Sequence, residues 1–251
     1  MTAISAVIIT KNEAENISRC LEALQPVVAE ILVVDSMSED ATVDICQQAG
    51  ARVVQTDWQG YARTKNYANS LASHDWILSI DADEVLSASL QASLRQLQPH
   101  TGCVYSLDRI TNFCGRWIKH SEWYPDWKLR LFDRRHCHWT GDYVHETLQY
   151  PSQSQVIRLE GRLLHYSYKS LDDHWNRLEK YTQLAAEALY EQKKPVTWVK
   201  LWLSPPLRFW RTFILGRGFL DGKWGWIISK RNAQMVRMKY QKLRALYRQS
   251  S

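Results

Sequence analysis

The chain lacks a glycine-rich loop at the place where one would decide its chemistry. Its first apolar run, residues 6–10, is followed by Lys-Asn-Glu-Ala-Glu-Asn. A dinucleotide-binding turn would put GxGxxG there, so a nicotinamide enzyme is disfavoured. A nucleotidyltransferase is disfavoured too, because no Gly-rich loop bearing Lys or Arg follows that run. Cysteine is sparse: five residues, an odd number, with no CxxC pair. That argues against a disulfide framework and a zinc knuckle, and fits a reducing compartment. No stretch reaches the roughly 18 uncharged apolar residues of a spanning helix. The N-terminus has no basic region, and its apolar stretch is too short for a signal peptide, so a cytosolic location is expected. Internal repeats and low-complexity segments are absent as well.

What is present is a chain of 251 residues, 45% apolar, which can bury a substantial core. Short apolar runs at residues 6–10, 30–35, 52–55 and 76–80 alternate with helical patterns. Ile17, Leu21 and Leu24 mark the first helix face, and Val43, Ile45 and Cys46 mark the second, which stops at Gly50. A third helix is expected around residues 61–72 and a fourth over 87–98. Strands and helices alternating at this spacing imply βαβ units with helices on both faces of the sheet.

Beyond residue 100 the alternation breaks. Residues 103–113, 128–132 and 155–168 read as longer strands, so the expected fold is α/β with a mixed, Rossmann-like sheet. Residues 170–191 read as a helix, stopped by Pro195, and Pro205-Pro206 as a further break. The expected division is a domain over 1–192, with halves at 1–100 and 101–192, and a basic helical segment over 193–251. Net charge is +6, but residues 190–251 hold 14 Lys and Arg against two acids, Glu191 and Asp221. The first 189 residues are therefore mildly acidic, with 18 bases and 24 acids. Such a split speaks of partners rather than fold.

Ligands of an open parallel sheet bind beyond the carboxyl ends of its strands. The residues there are Thr10, Asn12 and Glu13 after the first strand, Asp35 and Ser36 after the second, and Asp81, Ala82 and Asp83 after the fourth. Two carboxylates one residue apart at a strand end suit a Mg or Mn ion that bridges the phosphates of a nucleotide diphosphate. The same acidic stretch also reads as a turn capping the helix at 87–98, Asp35 and Asn12 as turn or cap residues, and Glu13 as a first-turn acid. Arg63 and Lys65 read either as solvated charges or as diphosphate contacts.

The segments VIITKNEAEN, EILVVDSMSEDAT, GYARTKNYAN and WILSIDADE, in that order over residues 4–84, resemble the family 2 glycosyltransferases. YPDWKLRLF, GDYVHE and HYSYKS resemble the branch of core β-glucosyltransferases that builds lipopolysaccharide core. The resemblance weakens beyond about residue 195 and implies a GT-A fold and an inverting, metal-dependent sugar transfer. By position it implies that Thr10, Asn12, Glu13 and Asp35 hold the nucleoside, that Lys65 and Asp81 lie near the ribose or diphosphate, and that Asp83 is the principal metal ligand. It also offers His165 as a third ligand, against a core histidine. Glucose and UDP are the donor parts it suggests.

An inverting transfer needs a base near the acceptor hydroxyl. Asp126, Asp142 and Glu146 are the candidates, and the V-H-E likeness favours Glu146, with His145 beside it to orient base or acceptor. Each also reads as a surface acid paired with arginine. Trp123, Tyr124 and Trp127 offer either sugar stacking or core packing. Residues 196–251 interleave tryptophans with Lys and Arg, as an in-plane anchor on anionic lipid does. Nucleic acid is the disfavoured partner, because no reader motif accompanies the basic patch. Packing on the core or dimerisation is the plainer alternative. The expected enzyme is thus a glycosyltransferase on the inner face of the membrane, with a lipid-linked glycan as acceptor. A non-catalytic nucleotide or glycan binder with a polyanion-binding tail is the alternative.

Overall fold

The computed structural model describes residues 3–141 and 146–249. Two of the candidate site residues, Asp142 and His145, lie outside the described residues. In chain order the elements begin with β1 (Ile4–Thr10), α1 (Ala14–Leu24), β2 (Glu30–Asp35), α2 (Thr42–Gln48), β3 (Arg52–Gln55), α3 (Tyr61–Leu71) and β4 (Trp76–Ser79). There follow β5 (Glu84–Leu86), α4 (Ala88–Gln96), β6 (Cys103–Phe113), β7 (Arg116–Trp117), β8 (Asp126–Asp133), β9 (His138–Thr140), β10 (Thr147–Gln149) and β11 (Gln155–Tyr168). Helices α5 (Leu171–Glu191), α6 (Ser204–Trp210) and α7 (Lys223–Gln249) complete the set.

The main sheet runs β3-β2-β1-β4-β8-β6-β11-β5. The first four strands are parallel, and β8 then pairs antiparallel with β4 and β6. This is the mixed sheet expected of a GT-A fold. The parallel strands read as nearly continuous apolar runs because both faces are covered: Ile4, Ala6 and Ile8 pack with α1, while Val7 packs with Ala62 and Ala68 of α3. Register sets the ligand edge. Thr10 lies opposite Asp35, and Asp35 opposite Gln55, so three strand ends finish side by side.

The chain divides into two compact units, one of Met1–Arg109 with Asp126–Tyr166, the other of Ile110–Pro125 with Ser167–Ser251. The boundary expected at residue 192 therefore does not fall where the units part. Helix α5 and the 110–125 segment group with the C-terminal stretch, because Phe113, Ile118, Trp123, Tyr168, Leu171, Trp224 and Ile228 share one apolar cluster. Polar ties reinforce that grouping: Asp221 accepts from the backbone N–H of Lys119 and His120 and from Ser121 Oγ at 2.9–3.2 Å.

Two further expectations need correction. Pro205 and Pro206 do not break the chain's helical course. They occupy the first turn of α6, where a missing N–H is harmless, and wide π-type turns flank α6 at Val199–Leu203 and Arg211–Leu215. The acidic DADE stretch does not cap α4 either. Glu84 opens β5, which pairs with β11, and the cap is Ser87, whose hydroxyl accepts from Leu90 N–H. Gly161 of β11 lets α4 approach closely: a Cβ there would fall 2.3 Å from the Leu90 nitrogen. In the second unit, a Cβ on Gly225 of α7 would fall 1.7 Å from the Gly218 carbonyl oxygen. Among the described residues no helix is long and apolar enough to cross a membrane.

Candidate active site

At the ends of β1 and β2 the loop residues lock onto one another. Asn12, with φ of 55°, donates its backbone N–H to Ser38 Oγ at 2.8 Å and accepts from Glu39 N–H through its side-chain oxygen at 2.8 Å. Asp35 is fully buried and accepts from the Ser38 amide at 2.8 Å, from the Ser38 hydroxyl and from Gln55. Glu13 precedes α1 and accepts from Asn16 at 2.7 Å. Asp35 and Asn12 thus shape the loop themselves, as turn formers do. Two hydroxyls at the same strand ends differ: Thr10 Oγ1 and Ser36 Oγ are buried without a hydrogen-bond partner among the described residues. Buried polar atoms of that kind call for an explanation, and a ligand is one.

The second group is a chain of alternating charges. Lys65, whose side chain is only 4% exposed, lies 3.3 Å from Asp81 Oδ1 and 3.0 Å from Glu146 Oε1, with its Nζ 4.7 Å from the Trp139 ring centre. Arg130 takes the other Asp81 oxygen at 2.6 Å and Glu84 at 2.5 Å. Glu84 is fully buried and also meets Arg109 at 3.3 Å. Arg109 in turn holds Asp126 at 2.7 Å, and Lys128 closes the series on Asp126 at 3.0 Å. Crowding by protein pushes the Asp81 carboxyl upward, but Arg130 and Lys65 outweigh it and hold it far below the carboxylate range. Burial likewise raises Asp126, and Arg109 with Lys128 more than reverses that. A carboxylate so held is a weak proton acceptor, which counts against Asp126 as the base. Arg130, Arg109 and Glu84 do not stand out in the sequence. The alternation Asp126, Lys128, Arg130 along one strand face is the signal that could have found Arg130.

The third group is a pair. Asp83 Oδ2 and His165 Nε2 stand 3.3 Å apart, each side chain 15% exposed, and Asp83 O accepts from Tyr166 N–H at 2.8 Å. A carboxylate with an imidazole fits a divalent cation that takes its remaining ligands from phosphate oxygens and water, as Mg does at such sites. Among the described residues no three His, Cys, Asp or Glu side chains gather at metal-holding distance. Both Asp81 oxygens are turned to cations instead. Ala82 is buried, and Arg63 is exposed on α3. Trp123 joins the aromatic cluster of Phe113, Tyr168 and His174 at 5.5–6.2 Å, so packing is its observed role. Tyr124 is half-buried, and Trp127 carries the Arg158 guanidinium 4.6 Å from its ring centre.

The sequence pattern of glycosyl transferase family 2 matches residues 5–150, a span that holds all three groups apart from His165. The chain belongs to that family. An uncharacterized glycosyltransferase of Rickettsia felis is 31% identical over 241 residues, covering 91% of this chain and 85% of its own. The lipopolysaccharide core biosynthesis glycosyltransferase LpsC of Rhizobium meliloti is 30% identical, covering 88% and 82%. Among solved structures, glucosyl-3-phosphoglycerate synthase of Mycobacterium tuberculosis is similar at 27% identity over 34% of each chain, with a TM-score of 0.31. That overlap is too slight to carry an assignment. As a family 2 glycosyltransferase, the chain is a transferase enzyme.

Proposed function

We propose that this glycosyltransferase moves a hexose, glucose carried on UDP, to a lipid-linked glycan of the lipopolysaccharide-core type with inversion at the anomeric carbon. The observation that carries the reading is Lys65, which joins Asp81 after β4 to Glu146 of the distant V-H-E segment. A carboxylate is thereby placed beside the acidic strand end. Glu146 is the general base: it takes the acceptor hydroxyl proton as that oxygen bonds to the anomeric carbon and the bond to the diphosphate breaks. Thr10, Ser36 and Asp35 line the nucleoside side, and Lys65 with Arg63 the diphosphate side. Asp83 and His165 would hold Mg or Mn, which supplies charge neutralisation to the leaving diphosphate.

The acceptor class draws support from the LpsC likeness. It also draws support from the C-terminal stretch, where Trp198, Trp202, Trp210 and Trp226 are all more than half exposed among cations. That surface works at the anionic inner face of the membrane.

The first measurement is thermal stabilisation by UDP, GDP, ADP, CDP and dTDP, each with and without Mn. Stabilisation that needs one nucleotide and the metal together supports the site. No shift with any pair would move the reading to a glycan binder on the same fold. Asp83→Ala should abolish metal-dependent turnover, and unchanged activity in that variant refutes the metal assignment.

A further inference from the structure

Helix α7 carries a cationic face toward its C-terminal end. Arg237, Gln241, Arg244 and Arg248 follow at helical spacing and are all exposed. With Leu201 and Trp202 they line a hollow of about 450 Å3. Arg244 and Arg248 also line a hollow of about 500 Å3 with Pro195, Val196 and Tyr247. The Arg237 guanidinium stands 5.3 Å from the Trp202 ring centre. The ion pairs described in this unit fall elsewhere, on Asp173 and Glu122. Three guanidinium groups around one hollow suit an anion with several oxygens, and their fork geometry matches phosphate.

The surroundings indicate where that phosphate comes from. Trp198, Trp202, Leu203, Leu207, Trp210 and Leu215 are 46–78% exposed, an apolar density beyond that of scattered surface residues. Tryptophan prefers the boundary between headgroups and acyl chains. We propose that the hollow is a headgroup site: Arg237, Arg244 and Arg248 take the phosphate of an anionic phospholipid while Trp198 and Trp202 enter the bilayer boundary. The proposal rests on the membrane-surface reading and narrows it to named side chains.

The test is co-sedimentation of the full chain with vesicles of phosphatidylcholine alone, or mixed with phosphatidylglycerol. Binding is expected only to the mixed vesicles. The triple variant R237Q/R244Q/R248Q should weaken it roughly a hundredfold, and Arg244→Gln alone about fivefold. The control R217Q/K223Q/K230Q removes equal charge from exposed positions outside the hollow. A control as damaging as the groove variant overturns the headgroup site but leaves a general basic surface. Equal binding to neutral vesicles also overturns the headgroup site, and no binding to either, or tighter binding to a single-stranded RNA, overturns the membrane reading with it. Stabilisation of each variant by UDP with Mn reports separately on the catalytic unit.

Discussion

In the unit of Met1–Arg109 and Asp126–Tyr166, the buried charges Lys65, Glu84 and Arg130 each meet at least one opposite charge within 3.3 Å. In the unit of Ile110–Pro125 and Ser167–Ser251, several cations lie over aromatic rings: Arg231 on Trp175, Arg237 on Trp202 and Lys200 on Tyr240, at 4.5–5.8 Å. Ion pairing in a low-dielectric setting fixes geometry, and losing one partner there is costly. An exposed cation and ring such as Arg237 and Trp202 leave a surface open to what it meets. A site that must position a proton acceptor belongs with the first arrangement, and a surface for many weak contacts with the second.

The sharpest test of that contrast is Glu146→Gln, expected to lower kcat by about 10²–10⁴-fold while nucleotide-induced stabilisation persists. A variant with full turnover hands the base role to another carboxylate. Next is Glu84→Ala, which removes the carboxylate that Arg130 and Arg109 share, leaving Arg130 on Asp81 and Arg109 on Asp126. It should cost about 1.5–3 kcal/mol in urea unfolding; a loss below about 1 kcal/mol would show that the network is not tightly coupled.

The units should also part on acidification. Burial, then Arg231, lowers the His174 pKa to about 4, below the roughly 6.5 of an unfolded histidine. A histidine kept neutral by the fold contributes stability that is intact above about pH 6.5 and lost as pH falls toward its folded value, up to about 3 kcal/mol. Asp81 and Asp126 are depressed carboxylates, so their contribution is present above about pH 4 and is lost only below it. His174→Phe should therefore flatten the stability profile between about pH 6.5 and 4, and an unchanged profile would reject His174 as its source. The smallest effect is expected for Trp198→Ser, 70% exposed in the parent, with a change within about 0.5 kcal/mol by thermal melting.

Much of the first unit was readable from the chain, because strand-end position alone selects Thr10, Asp35 and Asp81 once the βαβ rhythm is seen. The strands at 103–113 and 155–168 were legible from their length and composition. Partnership was not legible. Lys65 reads equally as a solvated charge or a diphosphate contact, and its burial comes only from the long-range folding of Trp139 and Glu146 onto it. Glu84 looks like the third member of an acidic turn, whereas β11 draws it into a strand and buries it. The unit boundary escaped because Phe113 and Trp123, far from α7 in sequence, share their apolar cluster with Trp224. Pro205-Pro206 misled because proline at a first helical turn and proline at a break share one sequence signature.

The alternating series from Glu146 to Lys128 has one further property. Its four acids, Glu146, Asp81, Glu84 and Asp126, face four cations, Lys65, Arg130, Arg109 and Lys128. The constellation is electroneutral before any donor arrives, and Asp83 stands outside that balance. In the proposed site, a diphosphate entering beside it brings more negative charge than Arg63 alone balances, and would draw in a divalent cation. Donor and divalent cation should then bind as mutual conditions, each raising the other's affinity by the same factor.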